Sequence, residues 1–176
     1  MLMSAAKSTL VLVDFQGRLL PAISDGEAVV GRALTLATIA GLLDVPVIGT
    51  EQTPDKLGPN DNRIYRLCQQ TLHKHTFDAC DGGLLNALED HRTHVIIGGC
   101  EAHICVLQTA MGLLDAGYRV WVVADAVGSR LPANKDLALR RLRQQGADIV
   151  STEMVAFEWL GESEHPQFRN ALAHIK

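Results

Sequence analysis

The sequence predicts an α/β fold of the doubly wound type, a parallel sheet held between two layers of helices, and three observations carry the prediction. Short unbroken runs of branched apolar residues recur along the chain, as buried parallel strands require. Segments with apolar residues at mixed spacings of three and four lie between them, the signature of amphipathic helices. The connections from strand to strand are too long for hairpins, so each crosses over and returns in parallel. The chain has 176 residues, 47% of them apolar and 20% charged, enough for one core; at roughly 150 residues per domain it reads as a single domain, 1–176.

Leu10-Val11-Leu12-Val13 is the first strand, ending at Asp14. Residues 28–44 place Val29, Ala33, Leu36, Ala37, Ala40 and Leu43 on one face of a helix that Pro46 prevents from extending. The second strand covers 45–50. The stretch 51–62, with two prolines and a glycine, reads as a surface loop lying over the strand ends, followed by a short helix at 63–70. Residues 71–77 alternate weakly and form a third strand, and Asp81 is placed to cap a helix carrying Leu84, Leu85 and Leu88. The fourth strand is 94–99, centred on Val95-Ile96-Ile97. A helix over 102–116 stops at Gly117. The fifth strand is 118–125. A basic helix from Pro132 ends at the Gly146 cap, 147–151 is the sixth strand, and the tail from Thr152 is helical in two pieces broken by Gly161 and Pro166.

Composition excludes several classes of function. Sixteen Lys and Arg against 20 Asp and Glu give a net charge of −4, and no run of like charge exceeds the pair Arg140-Arg141, so there is no footprint for a phosphate backbone. The few aromatic residues are scattered, which removes the stacking platform of single-strand binders; nucleic acid is not the expected partner. Cys68, Cys80, Cys100 and Cys105 are too few and too unevenly spaced for a disulfide framework. No signal-peptide pattern or run of about 20 apolar residues occurs, so no membrane is expected and the location is expected to be the cytoplasm.

In doubly wound sheets ligands bind beyond the carboxyl ends of the strands, where strand order reverses. With the first four strands ordered 3-2-1-4, that place lies between strands one and four, and Asp14 and Cys105 face each other there. Cys105, in the first turn of the helix after strand four, would have its thiolate favoured by unpaired amides and the helix dipole; alternatively it is a small core residue. Asp14 could take the thiol proton or cap the turn at Gln16-Gly17. Lys74 is either a solvated edge residue or an inward cation that stabilises both a thiolate and a carboxylate. No Cys-x-x-Cys pair, His-Glu-x-x-His helix or dinucleotide glycine pattern is present, so neither metal nor cofactor is expected. Asp125 and Arg130 are assigned to a salt bridge or cap holding their loop. Phe15, Gln52, Phe77 and His103 lie close in sequence to Asp14, Lys74 and Cys105 or to a strand end and are candidate substrate-binding residues.

These residues sit in motifs. Leu12-Val13-Asp14-Phe15-Gln16, then His73-Lys74-His75-Thr76-Phe77, then Gly98-Gly99-Cys100-Glu101-Ala102-His103-Ile104-Cys105-Val106, then Gly117-Tyr118 and Ala124-Asp125-Ala126 together resemble the isochorismatase-like cysteine hydrolases over nearly the whole chain. Thr50-Glu51-Gln52, Ser129-Arg130 and His165-Pro166-Gln167-Phe168 look most like the subgroup of isochorismatase domain-containing proteins. The resemblance implies a Rossmann-like three-layer α/β/α sandwich with a six-stranded parallel sheet, and an Asp14-Lys74-Cys105 triad that cleaves a small amide, ureide or related C–N bond through a thioester. It also implies a cis peptide at Cys100-Glu101, with the amides of Glu101 and Cys105 as the oxyanion hole, and a homo-oligomer, a dimer or larger. Nicotinamidases of this kind hold a metal with an Asp-x-His pair and further histidines after strand two; here Thr50-Glu51-Gln52 stands there and no histidine precedes His73. True isochorismatases lack the cysteine. The expectation is therefore a metal-independent hydrolase of a small molecule, the alternative being a catalytically silent binding or scaffold protein of the same fold.

Overall fold

The computed structural model describes residues 1–175. Six strands, β1 (Ser8–Val13), β2 (Val47–Gln52), β3 (Gln70–Lys74), β4 (His94–Cys100), β5 (Arg119–Gly128) and β6 (Asp148–Val150), form one sheet in the order β3-β2-β1-β4-β5-β6. All five pairings are parallel. The order reverses between β1 and β4, as the sequence analysis assumed. Val13, the last residue of β1, lies between Thr50 of β2 and Gly99 of β4.

Alternation along β1 divides the core in two. Leu10 and Leu12 pack into one layer with α1 (Gly26–Leu42), α4 (Thr152–Leu160) and α5 (Phe168–Ile175). Val11 and Val13 pack into the other with α2 (Leu107–Asp115) and α3 (Pro132–Gln144). A strand covered on both faces meets apolar neighbours on either side, which is why the first and fourth strands carry the unbroken apolar runs Leu10–Val13 and Val95–Ile97, preceded by the buried polar residues Ser8, Thr9 and His94. Gly99 is needed where β1, β4 and the following helix converge: a Cβ there would lie 2.7 Å from Val13 Cβ and 2.8 Å from Val106 Cγ2.

Several boundaries shift for identifiable reasons. β2 begins at Val47, after Pro46, and continues through Glu51 and Gln52 because those residues pair with His73 and Lys74 of β3. β3 ends at Lys74, not at residue 77, where the lysine side chain turns inward. The helix expected over 63–70 is the single turn Asn62–Tyr65, capped by Asp61, whose Oδ1 accepts from Arg63 N at 2.9 Å. Asp81 is not a cap: the turn Cys80–Leu84 is opened by Asp78, whose Oδ1 accepts from Cys80 N at 2.8 Å. The helix expected from residue 102 begins with a wide turn, Ala102–Val106, before α2. β5 runs on to Gly128, so Asp125 lies inside it and accepts from the amide and hydroxyl of Thr152. Among the described residues no helix is long and apolar enough to cross a membrane.

Candidate active site

Three strands end at the crevice, and each is followed by a residue in the left-handed region: Asp14 after β1 (φ 56°), Thr53 after β2 (φ 40°) and Glu101 after β4 (φ 55°). This conformation is costly for residues other than glycine and concentrates where a fold must turn a side chain into a site. At Asp14 it takes the chain off the sheet while the amide still donates to Thr50 O at 3.1 Å. The carboxylate is fully buried. Its Oδ1 accepts from Thr50 Oγ1 at 2.7 Å and its Oδ2 from Lys74 Nζ at 2.9 Å. The turn at Gln16-Gly17 is therefore held without the Asp14 side chain.

Lys74 is the inward cation. Its side chain has no exposure, and Nζ also donates to Gln52 Oε1 at 2.7 Å and reaches the carbonyls of Thr76 and Phe77 at 3.5 and 3.4 Å. Gln52 is held in turn, since its Nε2 donates to His75 O at 2.7 Å. The Cys105 thiol points at the same amide oxygen, with Sγ 3.9 Å from Gln52 Oε1. One carboxylate, one ammonium and one thiol thus meet at the carboxyl ends of β1, β3 and β4.

The charge state of the sulfur differs from the sequence expectation. Burial pushes the Cys105 thiol up to about 12, the Asp14 carboxylate adds to the rise and Lys74 opposes it. Local helix geometry alone favours the thiolate, but it is outweighed by loss of water and by a nearby negative charge. These influences favour the protonated thiol over the thiolate at rest. The Cys100-Glu101 bond is also not cis: no cis peptide occurs among the described residues, and the turn out of β4 is made by the left-handed conformation of Glu101 instead.

A cavity of about 210 Å³ opens over the sulfur, and Asp14, Gln52, Phe77, Glu101 and Cys105 line it, with Arg130, Leu19, Leu57 and Ile104. Two expected substrate-binding residues are elsewhere. Phe15 is fully buried in the α1 layer of the core, because the left-handed residue Asp14 breaks the alternation of β1 and puts Phe15 on the face of Leu10 and Leu12, not on that of Val11 and Val13. His103 does not line the cavity; its Nδ1 lies 3.0 Å from Ser129 Oγ and 3.2 Å from Glu101 Oε2. Glu101 is nearly buried and pairs through Oε1 with Arg130 Nε.

Arg130, Thr50 and Gln16 belong to the site and were not selected from sequence as part of it. Arg130 does hold a salt bridge, as assigned, but the bridge stands on the cavity wall. Gln16 is a strap: Nε2 donates to Gln52 O at 3.0 Å and to Gly58 O at 2.7 Å, and Oε1 accepts from Gln52 N at 2.8 Å. A polar side chain three residues past an apolar strand was the available signal, since burial there demands partners.

Comparison with known proteins decides the family. The family model described as Isochorismatase domain matches residues 8–154. The chain belongs to the isochorismatase family. A Dictyostelium discoideum relative, isochorismatase family protein 1A, is 32% identical over 96% of this chain and 85% of its own. The Mus musculus isochorismatase domain-containing protein 2A is 34% identical over 96% and 82%. Among solved structures, a Caenorhabditis elegans protein described as MAR1 ribonuclease superposes with a TM-score of 0.95 at 30% identity, covering 99% of this chain and 92% of that one. Membership makes this chain an isochorismatase-family hydrolase, and the six-stranded parallel sheet is the fold it shares with that solved structure.

Proposed function

We propose that this isochorismatase-family protein is a metal-independent cysteine hydrolase of a small amide, ureide or related C–N bond. One observation carries the proposal: Cys105 and Asp14 line the same cavity, and the buried ammonium of Lys74 is bonded to that carboxylate. As Sγ attacks the carbonyl carbon, its proton passes to Asp14 and a C–S bond forms. Lys74 holds the carboxylate in place through both protonation states, steadied by Gln52. The oxygen of the tetrahedral intermediate is assigned to the backbone amides of Glu101 and Cys105, here across a trans Cys100-Glu101 bond. The C–N bond then breaks, and the nitrogen leaves with the proton that Asp14 accepted, leaving a thioester. Water, giving up a proton to Asp14, attacks the thioester carbon; the C–S bond breaks, the acid departs, and the sulfur takes back the proton from Asp14, restoring the thiol.

The test is ammonia release from primary amides by the wild type, Cys105→Ala and Asp14→Asn. Expected losses are complete for the first variant and about 10²–10⁴-fold in kcat for the second, with a cooperative thermal transition in each showing that both fold. Full turnover by Cys105→Ala would overturn the proposal, and a wild type that releases no ammonia from any amide would favour a silent binding protein. Ribonuclease is the description of the C. elegans neighbour. For this chain a small-molecule substrate is the better supported reading, because the cavity is mostly apolar and the net charge is −4, a poor match to a phosphate backbone. Cleavage of RNA that depends on Cys105 would reverse that choice.

A further inference from the structure

Leu19, Leu57, Phe77 and Ile104 wall the cavity over Cys105, and none of them is packed away: three are half-buried and Phe77 is 50% exposed. Apolar side chains left facing an opening at the sheet end are surface that an apolar ligand would take out of water. The charges around this opening are already matched. Lys74 is on Asp14 at 2.9 Å and Arg130 is on Glu101, so two cations answer two anions. An ionised group on the substrate would give up its water for a wall that supplies no unmatched opposite charge. Size follows from volume. A dry cavity of about 150 Å³ lined by Leu, Ile and Phe accepts benzene, so the present 210 Å³ has room for one ring, or a branched chain of about four to six carbons, together with a carboxamide.

From this lining we infer that the substrate is an uncharged primary carboxamide with a compact apolar acyl group. The inference rests on the cysteine-hydrolase function proposed above. It also accounts for product release: cleavage converts the neutral amide into an acid that ionises, and a carboxylate is what such a wall holds least well.

The test compares isovaleramide and benzamide with succinamate, a carboxylated amide of similar length, by ammonia release. In parallel, iodoacetamide and iodoacetate compete for Cys105, read by mass spectrometry against their ratio on free cysteine. The neutral amides should exceed succinamate in kcat/KM by roughly 100-fold, and iodoacetamide should gain roughly tenfold over its ratio on free cysteine. Succinamate turned over as well as the neutral amides, or iodoacetate reacting at the free-cysteine ratio, overturns the inference. If no amide is turned over while iodoacetamide keeps its advantage, the hydrolase function fails and the charge selectivity stands. Phe77→Lys, a change at an exposed position, should narrow the gap to succinamate about tenfold; an unchanged ratio counts against the inference.

Discussion

Asp14 and Lys74 form a buried pair whose importance appears when one member is removed. Lys74→Met leaves an uncompensated carboxylate in the interior and should lower unfolding free energy by about 3–5 kcal/mol in urea titration. Asp14→Asn combined with Lys74→Met should recover most of that loss, while activity stays absent. Thr50→Val removes the hydroxyl that donates to Asp14 at 2.7 Å without changing side-chain shape, and about 1–3 kcal/mol of stability should go with it. Because burial and Asp14 place the Cys105 thiol near 12, its thiolate fraction rises tenfold with each pH unit below that value. Iodoacetamide labelling of the resting protein should therefore climb steadily from pH 7 to 10, and a plateau below pH 7 would reveal an ion pair at rest. The three side chains proposed to react could be picked out in the sequence because each follows or ends a strand within a recognisable motif. The protonation of the sulfur could not: a helix start is visible in one dimension, whereas the wall that removes water from Cys105 is assembled from four separate segments.

Among the elements, the strand ends are fixed by close approaches that only glycine permits. A Cβ at Gly82 would stand 2.8 Å from Lys74 Cβ. Gly82→Ala should push the ammonium off Asp14, lowering kcat with little change in KM and costing about 1–3 kcal/mol. Gly31, in α1, has nothing within 4 Å of the same added atom, so Gly31→Ala is the control and should raise stability by about 0.5–1 kcal/mol in the same titration. The strands and the longer helices could be read from periodicity, since a doubly covered strand and an amphipathic helix have distinct patterns. The carboxyl end of β2 could not. Glu51 and Gln52 are polar and look like loop, and only their pairing with His73 and Lys74 draws them into the sheet. The same blindness hid Arg130, which reaches the cavity because β5 runs on to Gly128.

At the scale of the molecule, alternation of strand and helix pointed to the layered parallel fold, whereas the strand order that places the crevice was an assumption, which the pairings bear out. Assembly is less visible to such reasoning, because it depends on which apolar side chains remain in water. Leu131 and Leu137 are 61% and 58% exposed at the start of α3, and Met154 and Phe157 are exposed on α4. Self-association is the expected outcome, and sedimentation velocity should give a multiple of the 19.1 kDa chain mass; a monomer at micromolar concentration would contradict it. The Gln16 strap joins the ends of β1 and β2 to the carbonyl of Gly58. Anyone exchanging residues 53–60 to retarget the enzyme would thus be altering the support beneath Gln52, and through it the ammonium, so changes of preference and losses of rate in this segment should arrive together unless the graft preserves that single acceptor.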